Sequence, residues 1–140
     1  MSIRKTRQKE AIRRVFCEAS GPLSPPEVLA SAQHEVPTLG MATVYRCLAE
    51  LTGNNWLTTL SLAGETRYER ADHGHHHHFL CQECHRAFCL DYCQGPLHLH
   101  LPAGFVGEDH EVTIHGRCAD CAGESRGSHG AVSTGAKPCV

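Results

Sequence analysis

Residues 40–51, GMATVYRCLAEL, decide the fold. Apolar side chains recur in this stretch every three or four residues, which is the spacing of one face of an α-helix. They are Val44, Cys47, Leu48 and Leu51. Ala42 and Arg46 point away from that face, and Thr43 and Tyr45 lie on its flanks. We therefore expect a helix with one buried side and one side that faces solvent or a partner.

Two further helices are predicted upstream. In residues 7–19 the apolar side chains again share one helical face; they are Ile12, Val15, Phe16 and Ala19. A second helix is expected after Ser24, because Ser24 and Glu27 have the spacing of a capping box and Pro25 suits the first helical position. Val28, Leu29 and Ala32 give this second helix its apolar face.

A β-hairpin is predicted after the third helix. Residues 57–62 and 66–69 have strand character and are joined by Ala63-Gly64-Glu65. Three helices followed by a hairpin indicate a winged helix-turn-helix over residues 1–70, in which the third helix enters the major groove of DNA. Thr43, Tyr45 and Arg46 are then the candidate DNA contacts. A buried tyrosine beside an ordinary surface arginine is the alternative.

The net charge of −2 conceals an uneven distribution. In residues 1–70, 9 Lys and Arg oppose 7 Asp and Glu, whereas in residues 71–140 only 4 oppose 8. A basic patch at the N-terminus suits DNA phosphates, although a solvated helix face has the same pattern. The further candidate DNA contacts are Arg4, Arg7, Arg13 and Arg14.

The composition changes after residue 70. Histidine and cysteine, 12 and 9 in the whole chain, are concentrated here, and both are common ligands of transition metals. We expect a hinge at residues 71–74 and a small α/β unit at residues 75–122. Its strands are predicted at residues 79–80, 87–90, 97–101 and 112–114. Residues 123–140, rich in Gly and Ser, are predicted to be a disordered tail.

Two CxxC pairs are the strongest chemical signal. They are Cys81 with Cys84 and Cys118 with Cys121. Four thiolates suit a closed, tetrahedral and therefore structural Zn²⁺ site. A redox CxxC is the alternative, but the βαβ pattern of a thioredoxin-like fold is missing.

A run of four histidines, residues 75–78, precedes the first pair. If the run is extended, His76 and His78 face one side and His75 and His77 face the other, so one strand feeds two sites. Imidazole and carboxylate ligands suit Fe²⁺, Mn²⁺, Ni²⁺ or Zn²⁺. A purification tag is the alternative, but the run is internal.

Taken together, these motifs resemble the ferric uptake regulator family over about residues 4–122. The resemblance rests on the strings TRQ at 6–8, SPPE at 24–27, ATVYRCL at 42–48, RYE at 67–69, HHHHFLCQEC at 75–84 and HGRCADC at 115–121. Such a resemblance implies homodimeric, metal-dependent repressors of transcription. In them an N-terminal winged helix binds operator DNA and a C-terminal α/β unit with structural zinc dimerises.

The resemblance also implies roles for individual residues. The four CxxC cysteines match the structural zinc site, and Tyr45 matches the tyrosine of the recognition helix. A regulatory site at the hinge is matched by Glu69, His76 and His78. A further site in the dimerisation unit is matched by His75, His77 and His110, with His98 as a stand-in for a missing acidic ligand.

The chain departs from the family pattern at several positions. One hinge ligand is missing, since the family's histidine there falls at about Pro22; His34, Asp72 and His73 are the candidate replacements. The cysteine typical of the zinc branch is absent near Ala71. The absence of that cysteine favours Fe²⁺ or Mn²⁺, and the missing hinge histidine disfavours a standard example of either. The co-repressor metal, Fe²⁺, Mn²⁺ or Zn²⁺, therefore stays open. The usual dimerisation helix looks broken near residues 93–96.

The predicted function is a metal-responsive repressor of metal-uptake or metal-homeostasis genes. We expect a homodimer on double-stranded operator DNA, with no small organic substrate. A cytoplasmic protein with no membrane segment is expected because no apolar segment follows the N-terminal charges. An intracellular metal chaperone or buffer is the alternative. An enzyme is not expected, since H-E-x-x-H and P-C-x-x-C are both absent. Cys17 and Cys47 are predicted to be core residues, and Cys89, Cys93 and Cys139 have no assigned role.

Overall fold

The computed structural model describes residues 2–93 and 101–123. Its elements are α1 (Ile3–Glu18), α2 (Pro25–Ala32), α3 (Met41–Gly53), β1 (Leu57–Leu62), β2 (Glu65–Arg70), β3 (His77–Cys81), β4 (Ala87–Leu90), β5 (Thr113–Gly116) and α4 (Ala119–Ala122). Three helices followed by a hairpin, and then a second sheet, confirm the α+β class with an N-terminal winged helix. Among the described helices, none is long and apolar enough to cross a membrane.

The three N-terminal helices and β1 share one apolar core. The four side chains predicted on α3 are all buried, the most exposed of them, Cys47, at 7%. Burying each large aliphatic side chain contributes about 1.5–3 kcal/mol, so this cluster holds the helices together. The prediction for Cys17 was wrong: it lies on the outer side of α1 and is exposed, because the buried face of that helix passes through Ile12 and Phe16.

The capping box that begins α2 is present. The Glu27 carboxylate accepts hydrogen bonds from the backbone N–H of Ser24 at 2.8 Å and from its hydroxyl at 3.0 Å. The same carboxylate pairs with Arg67 of β2 at 2.9 Å. A local signal at the helix N-terminus therefore also ties α2 to the hairpin.

The hairpin turn is one residue shorter than predicted. Leu62 pairs with Glu65, so only Ala63 and Gly64 form the loop, with φ values of 51° and 80°. Two consecutive residues with positive φ suit the right-handed twist of a tight hairpin. Glu65 belongs to the strand, and the prediction that it lies in the turn was wrong.

The C-terminal sheet has the order β4-β3-β5, with β3 antiparallel to β4 and parallel to β5. In this register His78 lies opposite Cys89 on β4 and opposite Thr113 on β5. Most of the strand predicted at residues 97–101 lies outside the described residues, as do residues 124–140 of the predicted tail. Leu101 is described and lies in no strand.

The connection between α1 and α2 lies directly on β4. A Cβ atom on Gly21 would lie 2.2 Å from the carbonyl oxygen of Ala87, so only glycine permits this approach. The backbone N–H of Cys89 donates to the carbonyl of Ser20 at 2.8 Å. The helices and the second sheet therefore meet at β4.

Candidate metal centres

The described residues contain three clusters of potential metal ligands. Within each cluster the ligand atoms lie no more than 4.8 Å apart. The cysteine cluster is Cys81, Cys84, Cys118 and Cys121; the hinge cluster is Glu69, His76, His78 and Cys89; the loop cluster is His75, His77, Cys93 and His110. The structure thus brings together the residues that were predicted for each site, with the exception of His98, which lies outside the described residues.

The cysteine cluster forms where β3 and β5 end side by side. Parallel pairing sets Cys81 against Gly116, so the two CxxC segments leave the sheet next to each other. The Sγ atoms of Cys84 and Cys118 are 3.7 Å apart. After the first pair the chain turns at His85, which has a φ of 60°.

Hydrogen bonds favour the thiolate form of Cys81 and Cys118, whereas the hydrogen bond to Cys118 raises the pKa of Cys121 to about 12. The backbone N–H of Cys118 donates to the Cys81 sulfur at 3.4 Å, and this hydrogen bond lowers the pKa of Cys81 to about 6. The Arg86 guanidinium also donates to the Cys118 sulfur, at 3.7 Å. Four thiolates complete the coordination of a tetrahedral Zn²⁺, and such a closed site suits a structural ion.

The hinge cluster links the hairpin to the C-terminal sheet. Glu69 is a buried residue of β2, and its carboxylate accepts hydrogen bonds from His76 Nε2 at 3.1 Å and from His78 Nε2 at 3.0 Å. His76 is held by a second hydrogen bond, from Nδ1 to the carbonyl of Gly74 at 2.7 Å. These contacts aim two imidazoles and one carboxylate at a common point.

The hinge cluster also shifts the pKa values of its members. The hydrogen bond to Glu69 raises the pKa of His76 to about 9, against the opposing effect of burial. Burial alone would raise the pKa of Glu69, but the hydrogen bonds from His76 and His78 outweigh it and lower the pKa to about 2. The carboxylate is therefore ionised, and a cation of either kind, a proton on imidazole or a metal, is favoured beside it.

Cys89, from β4, is the fourth member of the hinge cluster. Its Sγ lies 3.9 Å from Glu69 Oε2. None of the predicted replacements, His34, Asp72 and His73, belongs to this cluster. Asp72 instead pairs with Arg70, and the ring centroid of His73 lies 5.3 Å from that of His76 with the two rings tilted by 54°.

The loop cluster lies on the opposite side of β3, as the alternation of an extended run predicts. His110 Nε2 lies 3.3 Å from His75 Nε2 and 3.2 Å from the Cys93 sulfur. Burial, with neighbouring His75 and His110, lowers the pKa of His77, which favours the neutral imidazole that metals require. Cys93 takes a place for which the sequence suggested only His98.

The recognition helix presents its predicted contacts to solvent. Tyr45 is 51% exposed, so the alternative of a buried tyrosine is wrong. Arg46 is exposed and donates to the hydroxyl of Thr43 at 3.1 Å. Thr43 and Arg46 also line a cleft of about 410 Å³ between α1 and α3, together with Lys5 and Lys9.

Five of the six basic residues of α1 are exposed and Lys9 is half-buried, and they do not form one surface. Arg4 precedes the others in the first turn of the helix. Arg14 pairs with Glu35 at 2.6 Å, and Arg7 donates to the Glu35 carbonyl at 3.5 Å. Arg13 stacks 4.8 Å from the Trp56 ring. Lys5 and Lys9, which line the cleft, were not among the predicted contacts, although the same charge run contains them.

Comparison with known proteins agrees with this arrangement. A family model described as the ferric uptake regulator family matches residues 1–97, more than half of the chain. The chain belongs to the ferric uptake regulator family. The match to the family model confirms the membership that was expected from the motifs in residues 4–122.

Individual relatives of this family member extend over most of its length. It is 31% identical over 134 residues to the ferric uptake regulation protein of Bacillus subtilis (strain 168), which covers 88% of both chains. It is 28% identical over 123 residues to the zinc uptake regulation protein of Mycobacterium tuberculosis, covering 85% of this chain and 95% of that protein. Its fold resembles the solved Helicobacter pylori ferric uptake regulator, with a TM-score of 0.57 at 22% identity over 82% of this chain and 79% of that one.

Proposed function

We propose that this protein is a metal-responsive transcriptional repressor that binds operator DNA as a homodimer in the cytoplasm. The observation that carries the proposal is the hinge cluster. Its ligands come from β2 of the winged helix and from β3, β4 and the approach to β3 in the C-terminal sheet. An ion at this point would therefore join the DNA-binding helices to the second half of the molecule.

Metal binding would act on the orientation of the winged helix. In a dimer, two recognition helices must reach successive major grooves, so DNA affinity depends on the angle at which each helix is held. A metal that binds the DNA-competent arrangement more tightly shifts the population towards it. About 1.4 kcal/mol of such preference is enough for a tenfold change in DNA affinity.

The recognition helix supports a role in DNA binding. Tyr45 and Arg46 are exposed on α3, and the adjoining cleft is lined by lysines of α1. Basic side chains of this kind neutralise phosphates, and exposed residues near the N-terminus of a recognition helix contact bases. A metal chaperone or buffer would need neither feature.

The names of the relatives support the proposal that this protein regulates genes of metal uptake. Two of them are named as ferric and zinc uptake regulation proteins. We assign the cysteine cluster to a structural Zn²⁺ and the hinge cluster to the co-repressor, which is Fe²⁺, Mn²⁺ or Zn²⁺. No catalytic role is proposed.

Replacing Tyr45 and Arg46 together by Ala tests the proposal against the chaperone alternative. The double variant should lose specific binding to DNA from its own promoter while it binds the same number of metal ions per protomer. Binding is measured by fluorescence anisotropy at fixed salt, and metal content by mass spectrometry after gel filtration. Glu10→Ala, at an exposed carboxylate of α1 outside the metal clusters and the cleft, is the control. Unchanged promoter binding in the double variant would contradict the proposal.

A further inference from the structure

The structure points to a metal preference that the motif pattern leaves open. We propose that Cys89 is a thiolate ligand of the hinge centre and that it makes Zn²⁺, rather than Fe²⁺ or Mn²⁺, the co-repressor of this protein. The role of the metal as a co-repressor rests on the proposed function. The ligand assignment itself stands on the geometry of β3 and β4.

Strand register brings Cys89 to the hinge. His78 and Cys89 are directly opposed in the antiparallel pair of β3 and β4, so their side chains lie on the same face of the sheet. His76 lies two residues before His78 and is on that face as well. Glu69 approaches the same face from β2, and its Oε2 is 3.0 Å from His78 Nε2 and 3.9 Å from the Cys89 sulfur.

The backbone holds Cys89 in this position. Its N–H donates to the carbonyl of Ser20, and the chain at Gly21 packs against the backbone of Ala87 and Phe88 with no room for a side chain. A strand held on both sides cannot turn its side chain to the other face. The pairing of β3 with β4 therefore keeps the Cys89 sulfur in the hinge cluster.

The resulting ligand set suits zinc. Two imidazoles, one carboxylate and one thiolate give four ligands, which is the number that Zn²⁺ takes in tetrahedral sites. Thiolates favour Zn²⁺, whereas Mn²⁺ prefers oxygen ligands and non-haem Fe²⁺ sites use histidine and carboxylate. A carboxylate in place of Cys89 would give a set for those harder ions.

The loop cluster has the same character. Cys93 joins His75, His77 and His110 there, so every cluster found in the described residues contains at least one thiol. This observation is independent of the hinge, because the loop cluster uses the opposite face of β3. It indicates a protein whose ligand sets as a whole favour Zn²⁺.

Cobalt spectroscopy tests the ligand directly. Co²⁺ bound to a thiolate has a sulfur-to-metal charge-transfer band in the near ultraviolet, and Co²⁺ bound to nitrogen and oxygen has none. The titration starts from protein with Zn²⁺ retained in the cysteine cluster and with Cys93→Ser, so that Cys89 is the thiol under test. The band should appear in Cys93→Ser and disappear in Cys93→Ser/Cys89→Ser. A band of equal strength in both would overturn the assignment.

Competition between metals tests the selectivity. Kd values for Zn²⁺ and Mn²⁺ are measured for the wild type, Cys89→Asp and the control Cys17→Ser, at an exposed thiol outside the clusters. Replacing the thiolate by a carboxylate should lower the preference for Zn²⁺ over Mn²⁺ by about tenfold or more, because a soft ligand becomes a hard one. Cys17→Ser should keep the wild-type ratio. A ratio unchanged in Cys89→Asp would overturn the inference.

These measurements use no DNA, so they separate the inference from the proposed function. A cobalt band that depends on Cys89, in a protein whose promoter affinity ignores metal, would refute the repressor and leave the ligand in place. Metal-dependent DNA binding with no contribution from Cys89 would do the reverse.

Discussion

Glu69 is the residue on which the hinge depends, because two imidazoles donate to one buried carboxylate. Without a metal, this carboxylate and the His76 imidazolium form a pair whose stability depends on pH. The pKa of His76 is raised from 6.5 to about 9, so its contribution is complete below pH 6.5 and is lost as the pH rises through 9. The pKa of Glu69 is lowered from 4.5 to about 2, so its contribution is present above pH 4.5 and is lost as the pH falls towards 2.

Glu69→Gln should therefore destabilise the hinge-metal-free protein most between pH 4.5 and 6.5. The difference in free energy of unfolding between wild type and variant should shrink as the pH rises through 9, because His76 of the wild type loses its proton there. Urea unfolding at a series of pH values, with Zn²⁺ kept in the cysteine cluster, measures it. Glu83→Gln, at an exposed carboxylate, is the control. A difference that grows from pH 6.5 to 9 would be contrary to this account.

Sequence reasoning predicted most members of the three clusters but not the two additional thiols. The CxxC pairs and the alternation of residues 75–78 are local patterns, so their grouping follows from spacing alone. Cys89 and Cys93 join their clusters through the pairing of β3 with β4 and through the path of the chain beyond β4. Strand register depends on contacts between residues far apart in the sequence, so the local patterns of a single sequence do not predict it.

Arg67 of β2 makes hydrogen bonds and ion pairs to several parts of the fold. Its buried guanidinium donates to the carbonyl of Pro22 at 3.3 Å and to that of His85 at 2.5 Å. It also pairs with the carboxylates of Glu27 at 2.9 Å and Glu65 at 3.1 Å. One side chain thus joins the hairpin, the start of α2 and the turn of the cysteine cluster.

Arg67→Ala should lower the free energy of unfolding by about 2–3 kcal/mol, because it leaves partly buried acceptors without their donor. Urea unfolding followed by circular dichroism measures the loss. Arg14→Ala removes the exposed pair with Glu35 and should cost less than about 1 kcal/mol. Equal losses in the two variants would show that Arg67 has no special structural role.

The elements were predictable to different degrees. The buried face of α3 was predicted residue by residue, because apolar residues recur along this one segment with the helical period of 3.6 residues. The hairpin was predicted with a turn one residue too long, because the sequence around Glu65 is compatible with either a turn or a strand. The second sheet is less regular in sequence, because its strands have four or five residues and their ends are set by the cysteine turns.

The three clusters of potential metal ligands lie at different places in the described part of the fold. The cysteine cluster closes the ends of β3 and β5, the loop cluster ties His110 and Cys93 to β3, and the hinge cluster faces the winged helix. Only the hinge cluster includes a residue of the hairpin. We therefore propose that metal binding at the hinge cluster controls DNA binding and that metal at the cysteine cluster supports the structure.

The most direct test is the affinity of the purified protein for DNA from its own promoter, with the cysteine cluster loaded and Zn²⁺ absent or present at the hinge. Fluorescence anisotropy at fixed salt gives Kd for the wild type and for Glu69→Ala. We expect Zn²⁺ to tighten wild-type binding by about tenfold or more, equivalent to about 1.4 kcal/mol, and to leave the DNA affinity of Glu69→Ala nearly unchanged. Equal wild-type affinity with and without Zn²⁺, and with Fe²⁺ or Mn²⁺ in its place, would contradict it.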